Sequence, residues 1–164
     1  MLIRALLVED NPDISDTLIE SMEAMTALRF AGVAKTEAAA RRWLSANDGN
    51  WNLVIVDLFL GEGSGFGVLK DCQKRSASQK VVVLTSYVPD NIVQHCRQLG
   101  ADAVFDKSQD VEDLVMFCRQ YAANLDSVNG VDPILENTER WHQANEALSR
   151  QYGRTIPGPV PVPV

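Results

Sequence analysis

Residues 53–58 read Leu-Val-Ile-Val-Asp-Leu, and residues 61–67 follow as Gly-Glu-Gly-Ser-Gly-Phe-Gly. An unbroken apolar run rich in β-branched residues is the pattern of a strand buried on both faces, since a strand with one wet face alternates polar and apolar side chains. Asp57 ends the run and the glycines lead away from it. The same grammar recurs along the chain. Ile3–Val8 is apolar but for Arg4 and ends on Glu9-Asp10. Leu28–Ala34 is a weaker strand, Lys80–Leu84 ends on Thr85-Ser86, and Ala103–Phe105 is followed shortly by Lys107.

Between the strands lie amphipathic stretches. Asn11-Pro12-Asp13 offers an N-cap with proline at the first helical position, and Ile14, Leu18, Met22 and Met25 then share one face. Thr36 opens an Ala-rich helix carrying Ala39, Trp43 and Leu44. The glycine run reads as a flexible loop entering a helix through Leu69 and Cys72. Pro89 starts a helix with Ile92, Cys96 and Leu99 inward, and Gly100 closes it. Asp110 caps the next, whose face is Val111, Leu114, Val115, Cys118, Tyr121 and Leu125. Strict alternation of strand and helix predicts an α/β fold, because parallel neighbours need crossover connections and the helices then cover both faces. Five units are too few for an eightfold barrel and suit a doubly wound, flavodoxin-like (βα)5 sheet of order 2-1-3-4-5 with a C-terminal helical tail.

The chain is expected to divide into a domain over 1–125, a linker and C-terminal helix over 126–153, and a Pro-rich extended tail over 154–164. Asn129-Gly130 breaks the pattern, Asp132-Pro133 starts a helix reaching about Tyr152, and Gly153 ends it. The final Pro-Gly-Pro-Val-Pro-Val-Pro-Val favours polyproline II. Ile134, Trp141 and Leu148 recur every seven residues, a seam that would dock on the domain or pair two copies as a homodimer. Residues 126–164 hold five acidic and three basic side chains, too short and too acidic for a helix-turn-helix, so no direct DNA binding is expected.

Composition narrows the class further. Fifteen Lys and Arg against twenty-two Asp and Glu give a net charge of −7 over 164 residues, and 46% hydrophobic content is that of a globular chain. Such acidity argues against nucleic acid or an anionic membrane as the main partner. No apolar run approaches the ~18 residues of a membrane span, and no signal peptide is expected before the first strand. The three cysteines are widely spaced and odd in number, neither a disulfide framework nor a metal site, which points to the cytoplasm. They read as small core residues.

In an open parallel sheet, ligands bind beyond the carboxyl ends of the strands. Those ends carry Glu9, Asp10, Asp57, Thr85, Ser86 and Lys107. With the first and third strands adjacent, three carboxylates converge, and like charges in one cleft call for a cation. Mg²⁺ suits few carboxylates plus water. Lys107 and the Thr85 hydroxyl are expected to face this cleft without a protein partner, suited to the oxygens of a phosphoryl group on one carboxylate. Each residue has a plainer reading alone: a turn residue, an acidic helix start, a solvated lysine, a strand-end hydroxyl. Their common register at the strand ends favours the shared site. The glycines, spaced every second residue, fit neither a dinucleotide fingerprint nor a P-loop. A haloacid-dehalogenase-type hydrolase would need an acid where Phe59 stands. His95 and His142 are isolated and read as surface or packing residues.

Val8-Glu9-Asp10, the run 52–58, Ser64-Gly65, the run Val-Val-Val-Leu-Thr-Ser at 81–86, Gly100-Ala101 and Asp106-Lys107 together resemble the receiver domain of bacterial two-component response regulators over about residues 1–125. The resemblance implies that Asp57 is a phosphoacceptor served by a histidine kinase, a phosphotransfer protein or a small acyl phosphate. It implies Mg²⁺ held by Glu9, Asp10, Asp57 and the backbone carbonyl of Phe59. Thr85 and Lys107 would contact the phosphoryl oxygens, and Ser86 would stay small to admit them. Gly61 and Ser108 stand where the family usually has proline. Val104 stands at the usual aromatic switch position, with Phe105 one residue later on the opposite face. The function implied is a signalling switch read by a downstream protein, not an enzyme with a diffusible substrate. The alternative is a phosphorylation-independent adaptor or dimerisation module built on the same fold and the C-terminal helix.

Overall fold

The structure is a computed structural model describing residues 2–127, 145–147, 149–151 and 153. Each apolar run becomes a strand: β1 (Ile3–Val8), β2 (Leu28–Ala34), β3 (Leu53–Val56), β4 (Lys80–Thr85) and β5 (Ala103–Asp106). Between and after them run α1 (Pro12–Met25), α2 (Glu37–Ala46), α3 (Gly65–Asp71) with a 3₁₀ turn at Cys72–Lys74, α4 (Asp90–Gln98) and α5 (Val111–Asp126). All strands pair in parallel in the order β2-β1-β3-β4-β5. This is the flavodoxin-like arrangement expected from the alternation.

Strand alternation divides the core into two layers. Ile3, Ala5 and Leu7 of β1 join Leu53, Ile55, Val82 and Leu84 on one face, against Leu18 and Met22 of α1 and Leu114, Val115 and Cys118 of α5. Leu6, Val8, Val54, Val56, Val81 and Val83 face the other way, against Ala40, Val68, Leu69 and Cys96. Phe105 belongs to the first layer and Val104 packs on the second, opposite faces as their adjacency requires. The α1 start follows expectation, with Asn11 Oδ1 accepting from the Asp13 and Ile14 amides at 3.0 and 3.3 Å.

Three local readings change, at the ends of β4 and β5, at Asp110 and in the glycine loop. β4 and β5 each run one residue further, to Thr85 and Asp106, and those two pair with each other. Asp110 precedes α5 but makes no side-chain cap bond; its Oδ2 accepts instead from the Asp106 amide at 2.9 Å, closing the β5–α5 turn. Ser15 and Ser21 are buried alongside the apolar face of α1, Ser15 Oγ donating to Pro12 O at 3.1 Å. The glycine loop is tightly packed where a flexible one was expected: a β-carbon on Gly65 would collide with the Asp57 carbonyl, and one on Gly67 with the Glu37 carboxylate.

Of the tail, residues 145–147 and 149–151 are helical, and Gly153 has φ of +69°, where only glycine is unstrained. Ile134, Trp141, His142 and Leu148, the break at Asn129-Gly130 and the stretch 154–164 lie outside the described residues. Among the described residues, no helix is long and apolar enough to cross a membrane.

Candidate functional site

Register brings the site together. Val8 of β1 pairs with Val56 of β3, so the two strands end level and the residues after them, Glu9 and Asp57, emerge side by side. One carboxylate oxygen from each of Glu9, Asp10 and Asp57 lies within 4.8 Å of the others. Glu9 and Asp57 are buried, while Asp10 is more open to solvent. The expected convergence of three carboxylates is therefore present.

Hydrogen bonds hold each in place. Glu9 Oε1 accepts from the Asn11 amide at 3.2 Å, Asp10 Oδ2 from the Gly61 amide at 3.1 Å, and Asp57 Oδ1 from the Phe59 amide at 3.2 Å. The bond from Gly61 ties the loop after β3 to the end of β1.

Lys107 differs from expectation. It is buried and has two protein partners, Glu9 Oε2 at 2.5 Å and Asp57 Oδ2 at 2.7 Å. An ammonium held away from water needs compensating charge, and two adjacent carboxylates supply it. Burial pulls the Lys107 ammonium down, but the hydrogen bonds and charges of Asp57 and Glu9 outweigh it and leave it above the usual lysine range. Burial pushes the Glu9 carboxyl up, against the opposing pull of Lys107.

Thr85 Oγ1 is buried and, among the described residues, has no hydrogen-bond partner. A buried hydroxyl left unpaired costs about 1–3 kcal/mol, so this one is a free hydrogen-bonding group at the end of β4. By alternation along β4, Thr85 shares a face with Val81 and Val83, the layer on which Val104 packs. Ser86 is exposed just past the strand, and Phe59 and Tyr87 are exposed aromatics on the loops after β3 and β4. His95 packs its ring 5.1 Å from Phe66, a helix-packing role. Cys72, Cys96 and Cys118 are free and buried; burial pushes Cys72 up to about 12 and raises Cys96 and Cys118 as well, so the thiols stay protonated.

Sequence reasoning missed Glu37. Its Oε2 accepts from the Ser64 amide at 2.9 Å, across a gap of 27 residues. The signal lay in the glycines themselves, since alternate residues without side chains mark a surface against which something packs.

The donor set fits a hard divalent cation, since it offers clustered carboxylate oxygens. The orphaned Thr85 hydroxyl and the buried Lys107 ammonium fit an anionic oxygen group beside it. A five-stranded doubly wound domain with such a set at successive strand ends has the architecture of a phosphoacceptor switch domain. Comparison agrees: the response regulator receiver domain family model matches residues 5–119, and the chain belongs to that family. It is 29% identical over 115 residues to the transcriptional regulatory protein CiaR of Streptococcus pneumoniae, covering 70% of this chain and 49% of CiaR. The chain thus spans about half the length of that relative. Among solved structures, a LuxR-family DNA-binding response regulator from Staphylococcus aureus superposes with a TM-score of 0.65 at 18% identity, over 73% of this chain and 98% of that one. The CheX–CheY–BeF3–Mg²⁺ complex from Borrelia burgdorferi gives 0.64 at 15% identity, over 75% and 88%. Receiver domains are signalling switches of two-component systems, bind Mg²⁺ at an acidic site, and interact with histidine kinases or phosphotransfer proteins.

Proposed function

We propose that this chain is a phosphorylation-controlled signalling switch with Asp57 as its phosphoacceptor. The observation that carries the reading is the buried Asp57 carboxylate, 2.7 Å from Lys107 and clustered with Glu9 and Asp10. In the transfer, an Asp57 carboxylate oxygen bonds to phosphorus as the bond to the donor's imidazole nitrogen or acyl oxygen breaks. The donor leaves with the electron pair. Glu9, Asp10, Asp57 and the Phe59 carbonyl would hold Mg²⁺, which neutralises charge on the phosphoryl oxygens. Lys107 and Thr85 meet those oxygens, and Ser86 leaves room for them. The domain takes part in its own phosphorylation and dephosphorylation, since these groups belong to the chain and not to the donor.

Phosphorylation replaces one negative charge with roughly two and adds strong acceptors. The Thr85 hydroxyl then gains the partner it lacks, and the loop after β4 moves with it. With Val104 in place of an aromatic, that shift is passed to the surface by another group, for which exposed Tyr87 is the candidate. A downstream protein reads the altered surface. The boundaries 1–125, 126–153 and 154–164, a cytoplasmic setting for the free buried thiols, and a homodimer seam at Ile134, Trp141 and Leu148 belong to the same proposal. Incubation with acetyl phosphate and Mg²⁺ followed by intact mass measurement tests it. A phosphoryl adduct lost in Asp57→Asn supports the reading; no adduct, or one that survives the substitution, overturns it.

A further inference from the structure

We infer that Glu37 is a positioning residue for the phosphoacceptor loop, acting from the first turn of α2; this rests on the phosphorylation of Asp57 proposed above. Two hydrogen bonds join Glu37 to the loop between β3 and α3. Its amide donates to Glu62 O at 3.3 Å, and its Oε2 accepts from the Ser64 amide at 2.9 Å. The side chain fills the space that Gly63 and Gly67 leave open, for a β-carbon on either would collide with it. Gly63 has φ of +79°, so glycine is required there by the backbone as well as by Glu37.

From Ser64 the constraint passes directly to the site. Ser64 is the N-cap of α3, its Oγ accepting from the Phe66 amide at 3.1 Å. The next residue, Gly65, donates its amide to Leu58 O at 3.0 Å and lies so close to the chain that a β-carbon would strike the Asp57 carbonyl. The backbone of the phosphoacceptor is therefore clamped from outside the sheet, through Glu37, Ser64 and Gly65 in sequence. A second link joins the same pair of helices: Arg41 Nε, one turn along α2 from Glu37, lies 2.6 Å from Asp71 Oδ2 at the end of α3, while its Nη1 is 3.9 Å from Glu37 Oε1. α2 and α3 thus hold the loop between them as one unit. Glu37 acts through Ser64 and Gly65, by fixing where Asp57 stands.

Glu37→Ala deletes the acceptor and the packing; Glu37→Gln keeps a carbonyl acceptor of the same length for the Ser64 amide; Gly67→Ala disturbs the contact from the opposite side. The three are compared with wild type in the rate of Asp57 phosphorylation by acetyl phosphate with Mg²⁺, well below their thermal midpoints, and in amide hydrogen exchange over residues 58–66. Glu37→Ala and Gly67→Ala are expected to slow phosphorylation and raise exchange in this segment by roughly tenfold, the scale of one hydrogen bond to a charged group. Glu37→Gln is expected to restore both to within about threefold of wild type, the margin of a neutral bond in place of a charged one. Unchanged exchange in Glu37→Ala overturns the clamp. Raised exchange with an unchanged phosphorylation rate overturns the positioning role, as does a Glu37→Gln protein no better than Glu37→Ala. A wild-type chain that takes no phosphoryl group ends the proposed function, and this inference with it, whereas the other failures leave wild-type phosphorylation intact.

Discussion

The Lys107 ammonium lies 2.7 Å from Asp57 Oδ2 although the two residues stand 50 positions apart, on the ends of β5 and β3. It also bonds Glu9 Oε2, so one cation compensates two buried carboxylates. Truncating one member of a buried charge cluster leaves the others uncompensated, which is far costlier than losing a surface pair. Lys107→Met is therefore expected to lower the unfolding free energy of the metal-free protein by about 3–5 kcal/mol. Urea denaturation reads this directly, and added Mg²⁺ should recover part of the loss by binding the folded state. An unchanged urea midpoint would show that the cluster needs no internal cation.

Thr85 predicts the opposite sign. Its hydroxyl is buried without a partner among the described residues, so Thr85→Val exchanges an unsatisfied donor for a methyl group of similar size. The unphosphorylated protein is expected to gain up to about 1 kcal/mol of stability. Its response to beryllofluoride, followed by the change in thermal midpoint with and without the reagent, should shrink. A loss of more than about 1 kcal/mol would assign the hydroxyl a structural bond.

Gly65 packs directly against the backbone of Asp57. A β-carbon there meets the Asp57 carbonyl and the Leu58 Cα, neither of which can swing aside as a side-chain end could. Gly65→Ala should cost about 1–3 kcal/mol, the usual range for overpacking, and slow acetyl phosphate labelling of Asp57 more than it lowers stability alone would explain. Full labelling at the wild-type rate would place the strain elsewhere.

Alkaline pH offers a test remote from the site. Tyr121 donates its hydroxyl to Ser78 O and Asn52 O, and burial, with Asp102 and Cys118 adding to it, pushes its phenol from 10.0 to about 12. An acid with a raised folded-state pKa binds its proton more tightly in the native state. The stability it contributes is complete below the unfolded value near 10 and is lost as pH rises through about 12. Phenolate absorbance of the folded protein should show a late step from Tyr121 that Tyr121→Phe removes. The pH dependence of unfolding above 10 should flatten in the same variant.

Most of the architecture was legible because it depends on local signals. Apolar runs with β-branched residues, punctuated by acids and glycines, mark strands wherever they fall, and alternation with helices leaves few topologies. The residues at the strand ends follow from that topology, so Glu9, Asp10, Asp57, Thr85 and Lys107 could be named before any contact was known. Strand ends moved by one residue, at Thr85 and Asp106, because pairing with a neighbour prolongs a strand beyond its own propensity.

Sequence by itself determined the kind of protein: five βα units, their order and the set of side chains presented at one edge. Tertiary structure alone decided how those side chains pair. Lys107 was expected to stand alone and instead spans Glu9 and Asp57, because only folding brings charges 50 and 98 residues apart into a common buried place. The glycine loop was expected to be flexible and is instead packed, because its partner is Glu37, which no local pattern connects to it. Burial and long-range contact set those outcomes, and both are properties of the assembled chain.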